Sequence, residues 1–123
     1  QQDGGGEPNL GFSVTSAAIQ ANPDLAGLFA INDPSGLGAS TALEQAGKTE
    51  QVTIVAFDGE KQGRQAIKDG KFFADPIQFP DRMGVQTVEK ILKYLKGEEF
   101  EAVTLLPTVL YRKANADKDP ELE

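Results

Sequence analysis

The sequence predicts an α/β fold, a parallel sheet with helices on both faces, and three observations carry that reading. Short apolar runs alternate with segments of helical period. The runs Leu25–Ile31 and Val52–Phe57 are nearly continuous rather than alternating, and each is followed at once by residues that start helices. Strands that are apolar along their whole length belong in a sheet covered on both sides, and parallel neighbours need right-handed crossovers, which the intervening segments supply. No repeat of solenoid period interrupts this alternation.

Residues 1–7 are polar and contain Gly4-Gly5-Gly6, a loop; a helix follows from about Pro8 to Gln20, ended by Asn22-Pro23. Leu25–Ile31 is the first strand. Asn32 or Asp33 caps the next helix, Pro34 suits its first turn, Leu37, Ala42, Leu43 and Ala46 give it an apolar surface, and Gly47 fits its C-cap. Val52–Phe57 is the second strand, and Asp58-Gly59 turns it into a helix from about Glu60 to Lys68 that ends near Gly70. Phe72–Gln78 is the third, although Pro76 lacks a ladder donor and marks an edge or an exit from the sheet. Asp81 caps the clearest amphipathic helix, with Val85, Val88, Leu92 and Leu95 at three- and four-residue steps and Gly97 past its end. Val103–Tyr111 reads as a last strand interrupted by Pro107, and 114–123 as a flexible acidic tail.

A chain of 123 residues with 39% hydrophobic composition forms one domain with a core. Having no histidine and no cysteine, it lacks the parts for serine-histidine-acid triads, thiol nucleophiles, disulfides and zinc or iron–sulfur ligation, so no enzyme and no cofactor is predicted. A formal net charge of -7 repels phosphate backbones and anionic lipid, so nucleic acid is not an expected partner. No apolar run approaches the roughly 18 residues of a membrane span, and no membrane insertion is expected. Gln1 at the start, with Met83 as the lone methionine, leads us to expect a processed form or a fragment.

Ligands of open α/β sheets bind beyond the carboxyl ends of the strands, and the residues that close the three strands are Asn32, Asp58 and Gln78. Two amides and a carboxylate supply donors, acceptors and a fixed anionic acceptor, a set suited to a ligand rich in hydroxyls, such as a sugar. Each also has a plain structural use: Asn32 or Asp33 as a helix cap, Asp58-Gly59 as a turn, and Gln78 as an ordinary polar surface residue.

The segments Ala21-Asn22-Pro23-Asp24-Leu25 with Gly27-Leu28-Phe29-Ala30-Ile31-Asn32-Asp33, then Val55-Ala56-Phe57-Asp58-Gly59, then Ile77-Gln78-Phe79-Pro80-Asp81-Arg82-Met83-Gly84 resemble, in order and spacing, the C-terminal part of ribose-binding-type periplasmic proteins. The resemblance covers about Glu7 to Lys113. It implies one incomplete lobe of a two-lobed periplasmic-binding-protein fold, residues 1–113, in which 79–102 crosses to the other lobe. It implies further that Asn32, Asp58 and Gln78 hydrogen-bond a monosaccharide, a pentose or hexose, that the partners are an ABC permease and a missing N-terminal lobe, and that the location is periplasmic or extracytoplasmic. Where that family usually has an aromatic residue to pack on the sugar ring, this chain has Gly6. Without its second lobe, the chain is expected to self-associate.

Two other readings compete. The effector-binding core of lactose-repressor-family transcription regulators shares this fold, but Phe57-Asp58-Gly59 and Gln78-Phe79-Pro80-Asp81 read more like the transport proteins. An enzyme would draw on Gly36-Leu37-Gly38, which resembles part of a dinucleotide fingerprint but lacks its third glycine and falls inside a helix. The acidic stretches Glu98-Glu99-Phe100-Glu101 and Asp117-Lys118-Asp119 lack the spacing of a calcium loop.

Overall fold

Proline stands in the first turn of three of the five helices, where its missing N–H has no intrahelical partner to lose. The computed structural model describes residues 1–123. Its elements run α1 (Pro8–Ala21), β1 (Gly27–Phe29), α2 (Asp33–Ala46), β2 (Thr53–Val55), α3 (Lys61–Lys68), β3 (Asp75–Ile77), α4 (Pro80–Leu95), β4 (Val109–Tyr111) and α5 (Lys113–Ala116). As expected, Asn32 caps α2 and Gly47 closes it in the left-handed conformation, φ 63°.

β1 and β2 pair in parallel, Leu28 opposite Ile54. The parallel bridges Val55–Ala74 and Asp58–Ile77 set β3 beside β2 in the same direction, so the three expected strands do run parallel. β4 returns antiparallel to β3, with Asp75 opposite Tyr111. The regular strands are shorter than the apolar runs. Pro76, inside β3, cannot donate to a neighbour, but it does not mark an edge: β2 bridges to this segment on one side and β4 pairs with it on the other, and it is the exit from the sheet that follows, after Ile77.

Alternate strand residues build the core: Ala30, Ile54, Ala56, Phe72 and Ala74 are buried with Leu43 of α2 and Ile67 of α3. Each of these two large side chains contributes about 1.5–3 kcal/mol. The intervening residues are uncovered, Phe29 at 61% and Ile31 at 67% exposure, with Thr53 and Phe73 exposed beside them. The helical cover expected on both faces is therefore supplied by this chain on one face only. The two glycines in question for a nucleotide fingerprint serve packing instead. A Cβ on Gly38 would sit 2.0 Å from the Pro8 carbonyl oxygen of α1, and one on Gly36 would sit 2.8 Å from the Phe72 ring.

Three expectations are corrected. Asp81 is not the cap of α4: the helix starts at Pro80 after Phe79, and Asp81 lies within its first turn, where its charge suits the helix dipole. The strand expected over Val103–Tyr111 is confined to Val109–Tyr111, because Pro107 blocks earlier pairing. The residues expected to fray are folded back. Ala116 of α5 is fully buried, and Arg64 of α3 donates to Asp119 at 2.5 Å and Glu121 at 2.7 Å. Tyr111 also donates to Asp119, at 2.7 Å. An acidic end with a half-buried arginine to receive it docks rather than solvates.

α4 contrasts with the rest: it buries no residue. Val85, Val88, Ile91, Leu92 and Leu95 along it are all exposed. No helix is long and apolar enough to cross a membrane.

Candidate functional site

The parallel arrangement of β1, β2 and β3 brings the three predicted residues to one end of the sheet, each just past its strand. Asn32 is half-buried and mostly engaged. Its Oδ1 accepts from the Ser35 backbone N–H at 3.1 Å and the Ser35 hydroxyl at 2.6 Å, and its Nδ2 donates to the Gly6 carbonyl at 2.9 Å. The capping role foreseen for it is real, and one amide hydrogen remains to offer a ligand.

Asp58 and Gln78 are bound to each other. The Asp58 N–H donates to Pro76 O at 3.2 Å, the Gln78 N–H to Asp58 O at 3.0 Å, and Gln78 Nε2 to Asp58 Oδ1 at 2.5 Å. Asp58 is the one non-glycine residue with positive φ, 126°, a conformation an L-residue holds only when its surroundings enforce it. Gly59 follows at φ 77°, and a Cβ there would lie 2.3 Å from Ile77. The turn thus aims a carboxylate along the sheet end. Its Oδ2, the Gln78 Oε1 and one remaining N–H on each of Asn32 and Gln78 have no partner in the protein. That inventory is two acceptors and two donors, all on neutral or anionic groups, which fits neighbouring hydroxyls better than phosphate.

Directly behind these residues lie two acids, both fully buried: Asp33 and Asp75. Asp33 Oδ2 accepts from the Glu60 N–H at 2.8 Å; its Oδ1 and both oxygens of Asp75 lack a well-formed hydrogen bond, and the Gly59 N–H, the nearby backbone donor, only partly relieves Asp75. Burial first, then the Asp75 charge, pushes the Asp33 carboxyl up to about 8, and burial pushes Asp75 up to about 6. The two carboxyls lie within hydrogen-bonding reach of one another. Sequence reading missed this pair. The available signal was an acid, Asp75, inside an otherwise apolar strand run.

An apolar cleft of about 540 Å³ runs between α1 and β1, lined by Val14, Ala18, Leu28, Phe29 and Ile31 among others. Neither Asp58 nor Gln78 lines it. No cluster of three or more acidic side chains has the geometry to hold a metal ion.

Residues 1–99 match the periplasmic binding protein domain family. The ribose import binding protein RbsB of Salmonella typhimurium is 45% identical over 92 residues, 75% of this chain and 31% of that protein. The D-ribose/D-allose-binding protein of Pseudomonas aeruginosa is 36% identical over 100 residues, 81% of this chain and again 31% of the relative. The chain thus spans about a third of the length of the curated relatives it matches. Among solved structures, an ABC transporter periplasmic solute binding protein from Actinobacillus succinogenes with bound D-allose superposes with a TM-score of 0.83 at 28% identity, covering 94% of this chain and 41% of that one. With an α/β fold of this topology and a match to the family across four-fifths of its residues, the chain belongs to the periplasmic binding protein family.

Proposed function

We propose that this chain is the C-terminal part of a two-lobed sugar-binding protein that delivers a monosaccharide to an ABC permease outside the cytoplasm. The observation that carries this is the Asp58–Gln78 pair, held at 2.5 Å by a strained turn at the ends of adjacent strands with its outer atoms unpartnered. Asp58 accepts hydrogens from vicinal sugar hydroxyls, Gln78 accepts and donates beside it, and Asn32 donates its remaining N–H. The site binds and releases; it holds no nucleophile with an adjacent base, in keeping with a chain free of histidine and cysteine.

Exposed apolar surface supports the two-lobed reading. The open edge and uncovered face of the sheet at Phe29 and Ile31 suit a preceding strand and helix of the same lobe. The bare stripe of α4, within the 79–102 segment, suits a core on the other side of the hinge. A pentose or hexose enclosed between the lobes would have each hydroxyl paired and its water expelled.

Calorimetric titration of the full-length protein with D-ribose and D-allose tests the reading. Saturable binding of one sugar per protein with a dissociation constant in the micromolar range or tighter is expected, about −8 kcal/mol. Heats no larger than dilution for these and a panel of other pentoses and hexoses would overturn it.

A further inference from the structure

Asp33 directly follows Asn32 at the start of α2, Asp75 stands three residues before Gln78, and the Glu60 N–H that Asp33 accepts lies two residues after Asp58. The two acids therefore tie together, from behind, the three segments that carry the sugar-binding residues. Both are 0% exposed, and three of their four oxygens lack a well-formed hydrogen bond if both are drawn as ions, the Gly59 N–H reaching Asp75 only loosely. Two adjacent buried anions with three poorly satisfied oxygens are not a stable arrangement. One proton placed between them supplies the missing donor and removes the repulsion. Space is tight as well: a Cβ on Gly63 of α3 would fall 2.3 Å from the Asp33 carboxyl, so the pair cannot separate without moving α3 or α2.

We propose that Asp33 and Asp75 share one proton at neutral pH and act as positioning residues, holding Asn32, Asp58 and Gln78 in register, so that sugar affinity falls when that proton leaves. This rests on the sugar-binding reading. On ionisation the proton goes to water and the pair passes from one negative charge to two. Repulsion then works between the start of α2 and β3, the two elements next to Asn32 and Gln78. The other charges facing the pair are few. Asp58, past β2, adds to the repulsion felt by both acids. Arg64 of α3 partly offsets it at Asp75, although its guanidinium is already bonded to Asp119 and Glu121 behind α5. Tyr111, opposite Asp75 on β4, donates a hydrogen bond to Asp119 and stays neutral, its hydroxyl pushed up to about 12 by burial and then by Asp119. With no histidine or cysteine in the chain, no side chain of ordinary pKa competes for the interval between about 6 and 8.

The test is the affinity for D-ribose of the full-length protein as a function of pH, wild type beside Asp75→Asn and Asp33→Asn. An asparagine keeps the shape and offers a permanent N–H in place of the shared proton. From about pH 6 to about pH 9 the wild type should lose about fivefold or more in affinity while either variant stays within about twofold of its value at the acid end. A wild-type affinity that is flat over this range, or variants that decline in parallel with it, would overturn the positioning role. Carbon-13 NMR of the aspartate carboxyls of the wild type judges the shared proton without any variant: one aspartate still protonated near pH 7 supports it, and all aspartates ionised there overturns it. No response to D-ribose or any other monosaccharide at any pH would overturn the sugar-binding reading and the positioning role with it, while the carboxyl titration would still judge the pair.

Discussion

Asp58 holds φ 126° because the chain around it leaves no other path: its own N–H and C=O are both bonded to the β3 segment, and Gly59 must slip beneath Ile77. Gly59→Ala should therefore cost about 2 kcal/mol or more, since a Cβ meets both a left-handed backbone and the Ile77 side chain; chemical denaturation measures it. The buried acids act at the same scale but through pH. Their carboxyls are raised by burial from the ordinary 3.8 toward about 6 and about 8, so the folded state binds more protons than the unfolded one between those limits. The pair's own contribution to stability is then full below about pH 4, shrinks as pH rises through the raised folded-state values and is gone above about 8, whereas Asp119, whose carboxyl is held down by the Tyr111 hydroxyl, contributes in the opposite sense. Denaturation curves across that range should show the fall, and Asp75→Asn should flatten it. The placement of Asn32, Asp58 and Gln78 at one end of the sheet was legible in the sequence, because the apolar runs mark where each strand stops. Asp33 was legible only as a cap, since Gly63, which packs against its carboxyl, lies thirty positions along the chain and is invisible to local pattern.

At the scale of elements, helix starts and stops were readable because caps and prolines act locally: Asn32, Pro34 and Gly47 mark α2 in the sequence as they do in the structure. Strand lengths and the docked end were not, because they depend on partners. Val103–Leu106 lies outside any strand, before Pro107, with no strand partner; its contact is the Lys90 ammonium of α4 at Thr104. The acidic end needed Arg64, whose side chain points toward it from α3. Removing that anchor should free the end: in Arg64→Ala, amides of 113–123 should exchange with solvent about tenfold faster while those of β2 are little changed, as hydrogen-exchange mass spectrometry can read. The half-covered sheet has the same origin. An apolar run says that both faces are to be covered, and it does not say by which part of the protein.

For the whole molecule, the exposed Phe29 and Ile31, the bare α4 and the partial inventory of hydrogen-bonding atoms point the same way. The 123-residue chain alone should bind monosaccharides far more weakly than the full-length protein and should self-associate through its apolar faces, as light scattering and calorimetry on the chain can establish. A few exposed hydrogen bonds at about 1 kcal/mol each hardly offset the roughly 4 kcal/mol or more lost on immobilising a ligand. Enclosure between lobes changes that balance, because a desolvated carboxylate then carries charge-assisted bonds worth about 1.5–3 kcal/mol each. The central claim is that Asp58 is such a carboxylate. Its most direct test is calorimetric titration of D-ribose into the full-length protein and into Asp58→Ala, with the unfolding midpoint of each recorded alongside. A loss of about a hundredfold in affinity with the fold intact is the predicted result; a loss under about threefold would mean that Asp58 only makes the turn.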